Sequence, residues 1–590
     1  MPALTRLSTL LAAAALVASC AAASRPASGP QAPSEPIKLT IVSTNDLHGW
    51  VQAKETRLSD GRVVRTGGAE ILAGYVARLR EENPGGVLLF DAGDMFQGTL
   101  VANLSEGEAV VAAYNVLGYD AAAIGNHEFD YGPNGPKSAA VDPGDDPLGA
   151  LESRARQAHF PFLARNVYLA NGQRPAFFRN DGLAMVERKG LKIGIVGLLT
   201  PLTPQVTNPV NVSGLRFGPL AAEGQAAAAE LRKRGADILI ALVHAGGRCA
   251  SFADPNDLAS CDPKGEIFEM LQQMPRGLFD AVLSAHTHTR LQHVINGTPV
   301  VQANSYGTHF SLLELVVDPD TRRVRTESTK LVGAVAVCEK TYPGSEACDP
   351  KKPAAGDLVP ATFHGKALVP DPAVTAALSP YIERVAQEHR RALRVAVPEP
   401  LTRNYKGESL LGNALADTVN AMEKTDVTLL NAGGLRADLA SGELTFGALY
   451  EVFPFDNSVS TVTLTGEQIL KCFEVLASSG HGAPQIAGVR VKGRKCGETV
   501  SIVEARFTDG RPFDRTATYR LTTSDFLALG GDGLGKVFDT LPATQKDFGH
   551  RRQLNMRDAL AAFLEKRGGT LTAQLDGRLT IETTGCPTPP

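Results

Sequence analysis

The chain has 590 residues, of which 43% are hydrophobic and 21% are charged, and its formal net charge is −4. A chain of this length exceeds what one hydrophobic core supports, so we expect two large domains. The near-balanced charge is not that of a polycation, so we expect no nucleic-acid polymer as a partner.

The first 20 residues have the pattern of a bacterial lipoprotein signal peptide. A short positive segment ends at Arg6, and the apolar stretch from Leu7 to Val17 is too short to span a bilayer. Val17-Ala-Ser-Cys20 resembles a lipobox, which predicts a lipid anchor on Cys20, and residues 21–36 predict a flexible tether. We therefore expect an exported protein anchored at the cell envelope, in the outer membrane, facing the periplasm or the cell surface. The alternative is a plain secretory signal peptide.

Residues 37–345 predict a first domain in which polar clusters follow short apolar runs. The runs predict buried strands, and they are Leu39–Ser43, Val87–Phe90, Ala121–Ile124, Ile238–Leu242 and Ala281–Leu283. The clusters that follow them are Asp46-Leu-His48, Gly93-Asp94, Gly125-Asn126-His127-Glu128, Val243-His244 and His286-Thr-His288. We expect the strands to lie in one sheet, so that the clusters meet at its carboxyl edge.

The clusters supply carboxylates, a carboxamide and imidazoles, which suit a pair of divalent ions such as Zn²⁺ or Mn²⁺. Asp94 is our candidate for a carboxylate that bridges both ions, because Gly93 lets the backbone approach them closely. Asp91 is the rival carboxylate, but it lies two residues earlier, inside the predicted strand.

Residues 346–399 predict a linker with a hinge helix. The composition shifts to Pro, Gly and Lys near 340–372, and the segment Asp371 to Val395 then has apolar residues at helical spacing. Residues 400–583 predict a smaller α/β domain. Eight cysteines are present, and proximity suggests Cys249–Cys261, Cys338–Cys348 and Cys472–Cys496 as disulfides, with Cys586 left over.

The second domain has features that suit recognition of a phosphorylated, aromatic ligand. Asn431-Ala-Gly-Gly-Leu-Arg436 follows the apolar run Val427–Leu430, and Arg436 offers a planar fork for phosphate or carboxylate. Phe455 and Phe526 would sandwich a nucleobase, with Asp532 nearby. The alternatives are core packing for the two phenylalanines and a surface ion pair for Arg436.

The clusters of the first domain closely resemble those of calcineurin-like metallophosphatases, and Gly125-Asn-His-Glu-Phe-Asp130 resembles the 5′-nucleotidase family in particular. The resemblance implies a four-layer α/β/β/α metallophosphatase domain, joined by a helical linker to a smaller α/β domain. It implies two metal sites that share Asp94, one completed by Asp46, His48 and His288 and the other by Asn126, His244 and His286. It also implies that His127, oriented by Asp130, acts on the transition state rather than on a metal.

The motifs of the second domain resemble the C-terminal domain of the same family. The resemblance implies that Phe455 and Phe526 clamp the base, Asp532 binds the ribose, Asn431 faces the base, and Arg436 binds phosphate. The family usually places more than one arginine just before the segment Glu408–Asp417, whereas here only Arg403 is available. The phosphate or diphosphate contacts, and with them the substrate preference, stay open.

We therefore expect an extracytoplasmic 5′-nucleotidase in which a metal-bound hydroxide attacks phosphorus in line. The alternatives are a 2′,3′-cyclic-nucleotide phosphodiesterase/3′-nucleotidase, a UDP-sugar hydrolase, a thiol hydrolase of sulfur oxidation, and a non-catalytic nucleotide binder on the surface. The sequence leaves open the native metals, the base preference and the oligomeric state.

Overall fold

The computed structural model describes residues 35–135, 139–140, 144–350, 354–480, 482–542, 545–547 and 555–583. The predicted signal peptide, Cys20, the tether up to residue 34 and Cys586 lie outside these residues. Within the described residues, no helix has both the length and the apolarity that crossing a bilayer requires.

The described residues of the first domain form sixteen strands, most of them short. They are β1 (Ile37–Thr44), β2 (Lys54–Arg57), β3 (Val63–Thr66), β4 (Val87–Asp91), β5 (Ala121–Ala123), β6 (Phe162–Leu163), β7 (Val167–Leu169), β8 (Leu183–Arg188), β9 (Leu191–Leu199), β10 (Leu215–Phe217), β11 (Ile238–His244), β12 (Ala281–Ser284), β13 (Arg290–Ile295), β14 (Thr298–Ala303), β15 (His309–Val317) and β16 (Lys330–Ala336). The helices of this domain are α1 (Ala69–Glu82), α2 (Leu100–Asn103), α3 (Glu108–Leu117), α4 (Gly149–Gln157), α5 (Thr203–Val206), α6 (Pro209–Val212), α7 (Leu220–Lys233) and α8 (Glu266–Gln272).

Two six-stranded sheets form the centre of this domain, in the orders β16-β15-β1-β4-β5-β6 and β13-β14-β12-β11-β9-β8. The apolar side chains of their facing surfaces, such as Ile41, Phe90, Ile195 and Ile240, pack into one buried core. Helices α1 and α3 cover the outer face of the first sheet, and α7 and α8 cover that of the second. The predicted four-layer α/β/β/α arrangement is confirmed.

The expectation that the five predicted strands share one sheet is wrong. Strands β1, β4 and β5 pair in parallel in the first sheet, whereas β11 and β12 pair in parallel in the second. All five are apolar on both faces, so each needs a helix on one side and an apolar layer on the other. The second sheet supplies that layer, and the polar clusters still meet because the carboxyl ends of both strand sets lie at one end of the sandwich.

Short two-stranded ribbons connect the two large sheets of the first domain to the helix α9 (Pro372–Arg390) of the linker. Their strands are β17 (Lys340–Thr341), β18 (Val359–Pro360), β19 (Thr362–Phe363) and β20 (Lys366–Ala367). Asp371 caps α9 by accepting a hydrogen bond from the backbone N–H of Ala373. The helix predicted to reach Val395 ends at Arg390, because the next residues alternate between exposed and buried and form a strand, Ala392–Val397.

The second domain begins with that strand, β21 (Ala392–Val397). Its other strands are β22 (Val427–Asn431), β23 (Gly442–Thr445), β24 (Val459–Thr465), β25 (Pro484–Ala487), β26 (Val489–Cys496), β27 (Thr499–Phe507), β28 (Thr518–Ser524), β29 (Lys546–Asp547), β30 (Gly569–Thr570) and β31 (Leu579–Glu582). Its helices are α10 (Leu410–Glu423), α11 (Phe446–Val452), α12 (Gly466–Ser478), α13 (Asp525–Ala528), α14 (Gly535–Phe538) and α15 (Met556–Arg567). The central sheet has the order β25-β22-β28-β24-β29. Helix α9 contacts α1 and α3 of the first domain and α11 of the second, so it lies between the two.

The disulfides agree with the sequence only in part. Cys249–Cys261 and Cys338–Cys348 are confirmed. The predicted Cys472–Cys496 pair is wrong, because Cys472 is a free thiol on the buried face of α12, whereas Cys496 is disulfide-bonded. Burial among apolar side chains keeps the Cys472 thiol inert.

Candidate metal centre and substrate cleft

The predicted metal ligands converge where the carboxyl ends of the two sheets meet. They form two groups, one of Asp46, His48, Asp94 and His288 and one of Asp94, His244 and His286. Within each group the ligand atoms lie within 4.8 Å of one another. The two groups share Asp94, the carboxylate chosen from the sequence as the bridge.

Backbone carbonyls fix the orientation of two of these imidazoles. The Nδ1–H of His48 donates to the carbonyl oxygen of Gln97 at 2.8 Å, and that of His244 donates to the carbonyl oxygen of Ala92 at 2.9 Å. Each ring therefore presents the lone pair of Nε2 to the cluster, as is usual for metal-binding histidines. Nε2 of His244 lies 3.2 Å from Oδ2 of Asp94 and 3.2 Å from Oδ1 of Asn126.

Asn126 joins the second group through its amide oxygen. Its Nδ2 donates to the carbonyl oxygen of Val206 at 3.0 Å, which turns Oδ1 toward His244. An amide oxygen is an acceptable ligand for a hard divalent ion. Asn126 therefore lies where the sequence places it, beside the ligand atoms of Asp94 and His244.

The loops that carry these side chains approach one another too closely for a larger residue. Gly93 has φ of 100°, and a Cβ there would lie 2.7 Å from the Nδ1 atom of His244. A Cβ at Gly125 would collide with Oδ1 of Asp94. Both glycines are therefore required by the space that the Asp94 loop occupies.

Several of the proposed ligands have left-handed backbone conformations, which are costly for residues other than glycine. They are Asp46, His48, Asp94, His286 and His288, with φ of 49°, 50°, 59°, 77° and 52°. Such strain persists only where the surrounding structure imposes it, and it concentrates at functional sites. The backbone is therefore shaped to aim these side chains at a common point.

Glu128 fastens the Asp94 loop without joining the cluster. Its carboxylate accepts hydrogen bonds from the backbone N–H groups of Asp94, Met95, Phe96 and Gly125, at 2.8, 2.6, 3.2 and 2.6 Å. Only 1% of Glu128 is exposed. We infer that it is a positioning residue, which the sequence showed only as a member of the Gly125–Glu128 cluster.

The electrostatics of the cluster fit a divalent cation. Burial raises the pKa of Asp46 to about 7 and that of Glu128 to about 8, since a carboxylate without water is costly to ionise. The donors are carboxylate oxygens, imidazole nitrogens and the amide oxygen of Asn126, which Zn²⁺ and Mn²⁺ accept. A cation among them would offset the cost of ionising Asp46 and Asp94 together.

His127 lies beside the metal groups and is held by its own partner. Its Nδ1 lies 2.6 Å from Oδ2 of Asp130, and Oδ1 of Asp130 accepts a hydrogen bond of 2.6 Å from the hydroxyl of Thr207. Burial lowers the pKa of His127, but Asp130 and Asp94 outweigh it and raise the pKa above its ordinary value. Thr207 had no signal in the sequence, because its contact with Asp130 comes from a distant loop.

The second domain reaches this cluster directly. Nη2 of Arg436 donates to Nε2 of His48 at 3.0 Å, and its guanidinium lies 5.7 Å from the ring centre of Phe455. The ring of Phe455 lies in turn 5.7 Å from that of His127. The side chain of Asn103 also joins the domains, since it donates to the carbonyl oxygen of Pro454 at 2.9 Å.

The remaining predicted substrate residues line the same cleft, a cavity of about 650 Å³. Nδ2 of Asn431 donates to Oδ2 of Asp532 at 2.8 Å, and Phe526 lies half-buried beside them. Nε of Arg403 pairs with Oδ1 of Asp438 at 3.1 Å, so this guanidinium is partly committed within its own domain. All six predicted substrate residues therefore border one cavity with Asp94, Asn126, His127, His286 and His288.

Tyr306 is a cleft residue that sequence reasoning missed. Its ring lies 5.5 Å from that of His288 and 5.7 Å from that of His48, and its backbone N–H donates to the carbonyl oxygen of Asp46. Its position in the sequence could have indicated it, because Tyr306 comes shortly after β14, just as each cluster of proposed metal ligands comes shortly after a strand.

The chain is similar to known phosphoesterases and 5′-nucleotidases. Residues 39–290 match the family model of the calcineurin-like phosphoesterases, and residues 392–540 match that of the 5′-nucleotidase C-terminal domain. An endonuclease, YhcR, of Bacillus subtilis (strain 168) is 27% identical over 84% of the chain, which spans only 37% of that longer protein. A 5′-nucleotidase of Vibrio cholerae serotype O1 is 26% identical over 90% of this chain and 92% of its own.

A solved structure also has this fold. The 5′-nucleotidase precursor of Thermus thermophilus is 24% identical and superposes with a TM-score of 0.72, covering 93% of this chain and 100% of its own. The phosphoesterase match precedes the 5′-nucleotidase match along the chain, and the donor groups lie within the phosphoesterase match. The chain belongs to the 5′-nucleotidase family of metal-dependent phosphoric ester hydrolases, with a calcineurin-like phosphoesterase domain followed by a 5′-nucleotidase C-terminal domain.

Proposed function

We propose that this protein is an extracytoplasmic 5′-nucleotidase that releases phosphate from nucleoside monophosphates and related nucleotides. The observation that carries the proposal is the single cleft bordered by both the metal-type donor groups and the aromatic and arginine side chains of the second domain. A phosphoesterase that does not recognise a base would need only the metal-type donor groups. The Vibrio cholerae relative, named a 5′-nucleotidase, supports the same assignment.

Two divalent ions, Zn²⁺ or Mn²⁺, would be held by the two donor groups that share Asp94. Asp46, His48 and His288 would complete one site, and Asn126, His244 and His286 the other. When bound, such ions lower the pKa of water and neutralise charge on a phosphoryl group.

The side chains of the chain itself would divide the remaining work. Arg436, which already reaches His48 across the domain boundary, would hold the phosphate oxygens, with Arg403 at the edge of the cleft. His127, kept in orientation by Asp130, would place its Nε2–H toward the developing charge and stabilise it or protonate the leaving oxygen. Phe455 and Phe526 would hold the base, and Asp532 the ribose.

We also propose that the protein is exported and held at the cell envelope through a lipid on Cys20. This proposal rests on the sequence alone. Cys20→Ala should move the protein from the membrane fraction to the soluble fraction, and mass spectrometry of the wild-type amino terminus should find diacylglycerol on Cys20. A wild-type mature protein that begins at another residue without lipid would overturn the anchor.

Phosphate release by the purified protein with Mn²⁺ or Zn²⁺ tests the enzymatic proposal. The substrates are AMP, ATP, UDP-glucose, 2′,3′-cyclic AMP and p-nitrophenyl phosphate, with a phosphatase added after reaction for the diesters. We expect strong preference for AMP over p-nitrophenyl phosphate. Preference for the cyclic diester or for UDP-glucose would move the activity to those substrates. Silence on every substrate with metal bound would reject a nucleotidase and favour a thiol hydrolase or a nucleotide-binding protein.

A further inference from the structure

Three cations in the cleft have no role in the site described above. Arg248 and Lys264 of the first domain and Lys406 of the second all line the cavity. Among the described residues, none of their side chains forms an ion pair or a hydrogen bond, whereas Arg403 pairs with Asp438 and Arg436 donates to His48. The cleft therefore contains cationic side chains that no described side chain engages, and the carboxylates of Asp262 and Glu266 line the same cavity.

The backbone that carries Arg248 is fixed beside the metal cluster. It follows β11 and His244 through Gly246 and Gly247, where a Cβ would collide with Thr287 and with Phe268. The carbonyl oxygen of Gly247 accepts hydrogen bonds from the hydroxyls of Thr287 at 3.0 Å and Thr289 at 2.8 Å, the residues that flank His288. Arg248 is thus tied to the same backbone as a proposed metal ligand.

A disulfide brings Lys264 to the same place. The disulfide between Cys249 and Cys261 closes a loop, and the Cα atoms of these two cysteines are 3.9 Å apart. The backbone N–H of Asp262 donates to the carbonyl oxygen of Arg248 at 2.8 Å, and Oδ1 of Asp262 accepts from the backbone N–H of Lys264 at 3.0 Å. The two cations therefore stand at the base of one closed loop, on the cleft side.

We propose that Arg248 and Lys264, with Lys406 facing the same cavity, form a second anion subsite. It would bind a phosphate of the substrate other than the one that is hydrolysed. The substrates it favours are nucleotides with two or more phosphates, including nucleotide diphosphate conjugates. The proposal rests on the proposed function, and it names residues that would extend the activity from monophosphates to these substrates.

The test must distinguish the loss of two cations from this position in the cleft from the loss of two positive charges anywhere on the domain. The test variant is Arg248→Ala/Lys264→Ala. The matched control is Lys233→Ala/Arg276→Ala, which removes the same charge from positions of the first domain that do not line the cavity. Both are compared with the wild type at constant ionic strength, with thermal unfolding to establish that each variant is folded.

The readouts are kcat/KM for AMP, ADP, ATP and UDP-glucose, and inhibition by inorganic pyrophosphate compared with orthophosphate. Loss of two charged hydrogen bonds should lower kcat/KM for ADP and ATP, and pyrophosphate affinity, by about tenfold. AMP should change by less than about twofold, and the control should leave every ratio unchanged. If kcat/KM of the Arg248→Ala/Lys264→Ala variant fell for ADP and ATP but not for UDP-glucose, the subsite would be restricted to nucleotides with an unsubstituted terminal phosphate.

Unchanged ratios, or an equal fall for AMP, would overturn the subsite. If the wild type hydrolyses none of the nucleotides, the proposed function fails instead. Pyrophosphate binding then still decides whether the subsite exists, because that measurement does not depend on turnover.

Discussion

The wall of the cleft that the first domain contributes is buried and anchored to its backbone, whereas the wall from the second domain is more exposed and held by side chains. Asp46, His48 and Asp94 are at most 1% exposed, and backbone groups contact each of their side chains. Asp46 and Asp94 accept hydrogen bonds from the backbone N–H groups of His286 and His127, and His48 donates to the carbonyl oxygen of Gln97. On the other wall Tyr405 is 47% exposed, and Asn431 is oriented by the side chain of Asp532. The comparison indicates that the chemical half of the site is preorganised, while the recognition half can change without disturbing it.

The largest effect is expected on the buried wall, at the shared carboxylate. Asp94→Ala should lower kcat by at least about 10³-fold, because both donor groups lose a ligand and the ions that activate water are released. Turnover of AMP and metal content by mass spectrometry are the measurements. Asp60→Ala, an exposed carboxylate of the same domain, is the control. Residual activity within tenfold of wild type would refute the bridging assignment. It would also contradict the inference that the buried wall carries the chemistry.

The next largest effect is expected at His127, on the same wall, where loss of catalysis can be distinguished from loss of metal. His127→Ala should lower kcat by roughly 10²–10⁴-fold, as for loss of a positioned acid or charge stabiliser. Metal content should stay full, since no predicted ligand is removed. His159→Ala, at an exposed histidine outside the cleft, should change neither. Loss of metal from the His127 variant would make His127 a ligand and our division of roles wrong.

The recognition wall should respond through KM rather than kcat. Phe526→Ala should raise KM for AMP by about tenfold, because one face of the base loses its aromatic contact. p-Nitrophenyl phosphate serves as the internal control, since it has no base, and its kinetics should not change. Equal losses on both substrates would show that Phe526 acts by packing α13 against the core rather than by contacting the substrate.

The smallest effect is expected at Thr207, which would position Asp130 without contacting the substrate. Thr207→Val should lower kcat by about fivefold with KM unchanged, because Asp130 loses one hydrogen bond and holds His127 less firmly. Thr207→Ser retains the hydroxyl and should restore kcat. A Thr207→Ser variant as slow as Thr207→Val would point to packing by the methyl group, and the hydroxyl would then have no part in orienting Asp130.

Local sequence patterns predicted the strands and the polar clusters well, since each cluster directly follows an apolar run. They could not predict that β11 and β12 lie in a second sheet, because a strand that is apolar on both faces does not indicate which layer covers it. Proximity in sequence predicted Cys249–Cys261 but failed for Cys472, because tertiary packing buries the face of α12 that carries Cys472. Thr207 reaches Asp130, and Glu128 reaches the Asp94 loop, only through contacts between distant segments, so no local pattern indicated that either residue positions another.

The pairing of β1 with β15 has a consequence for how the chain matures. Ile37 lies opposite Val317, so the first strand of the domain is held between β4 and a strand that follows nearly three hundred residues later. Such a long-range pairing is slow to form, since a large loop must close before any contact rewards it. During synthesis, the first strand must wait until residue 317 is available. The domain then closes late and as a unit, and a chain cut short before β15 would leave β1 as an unpaired edge prone to aggregation.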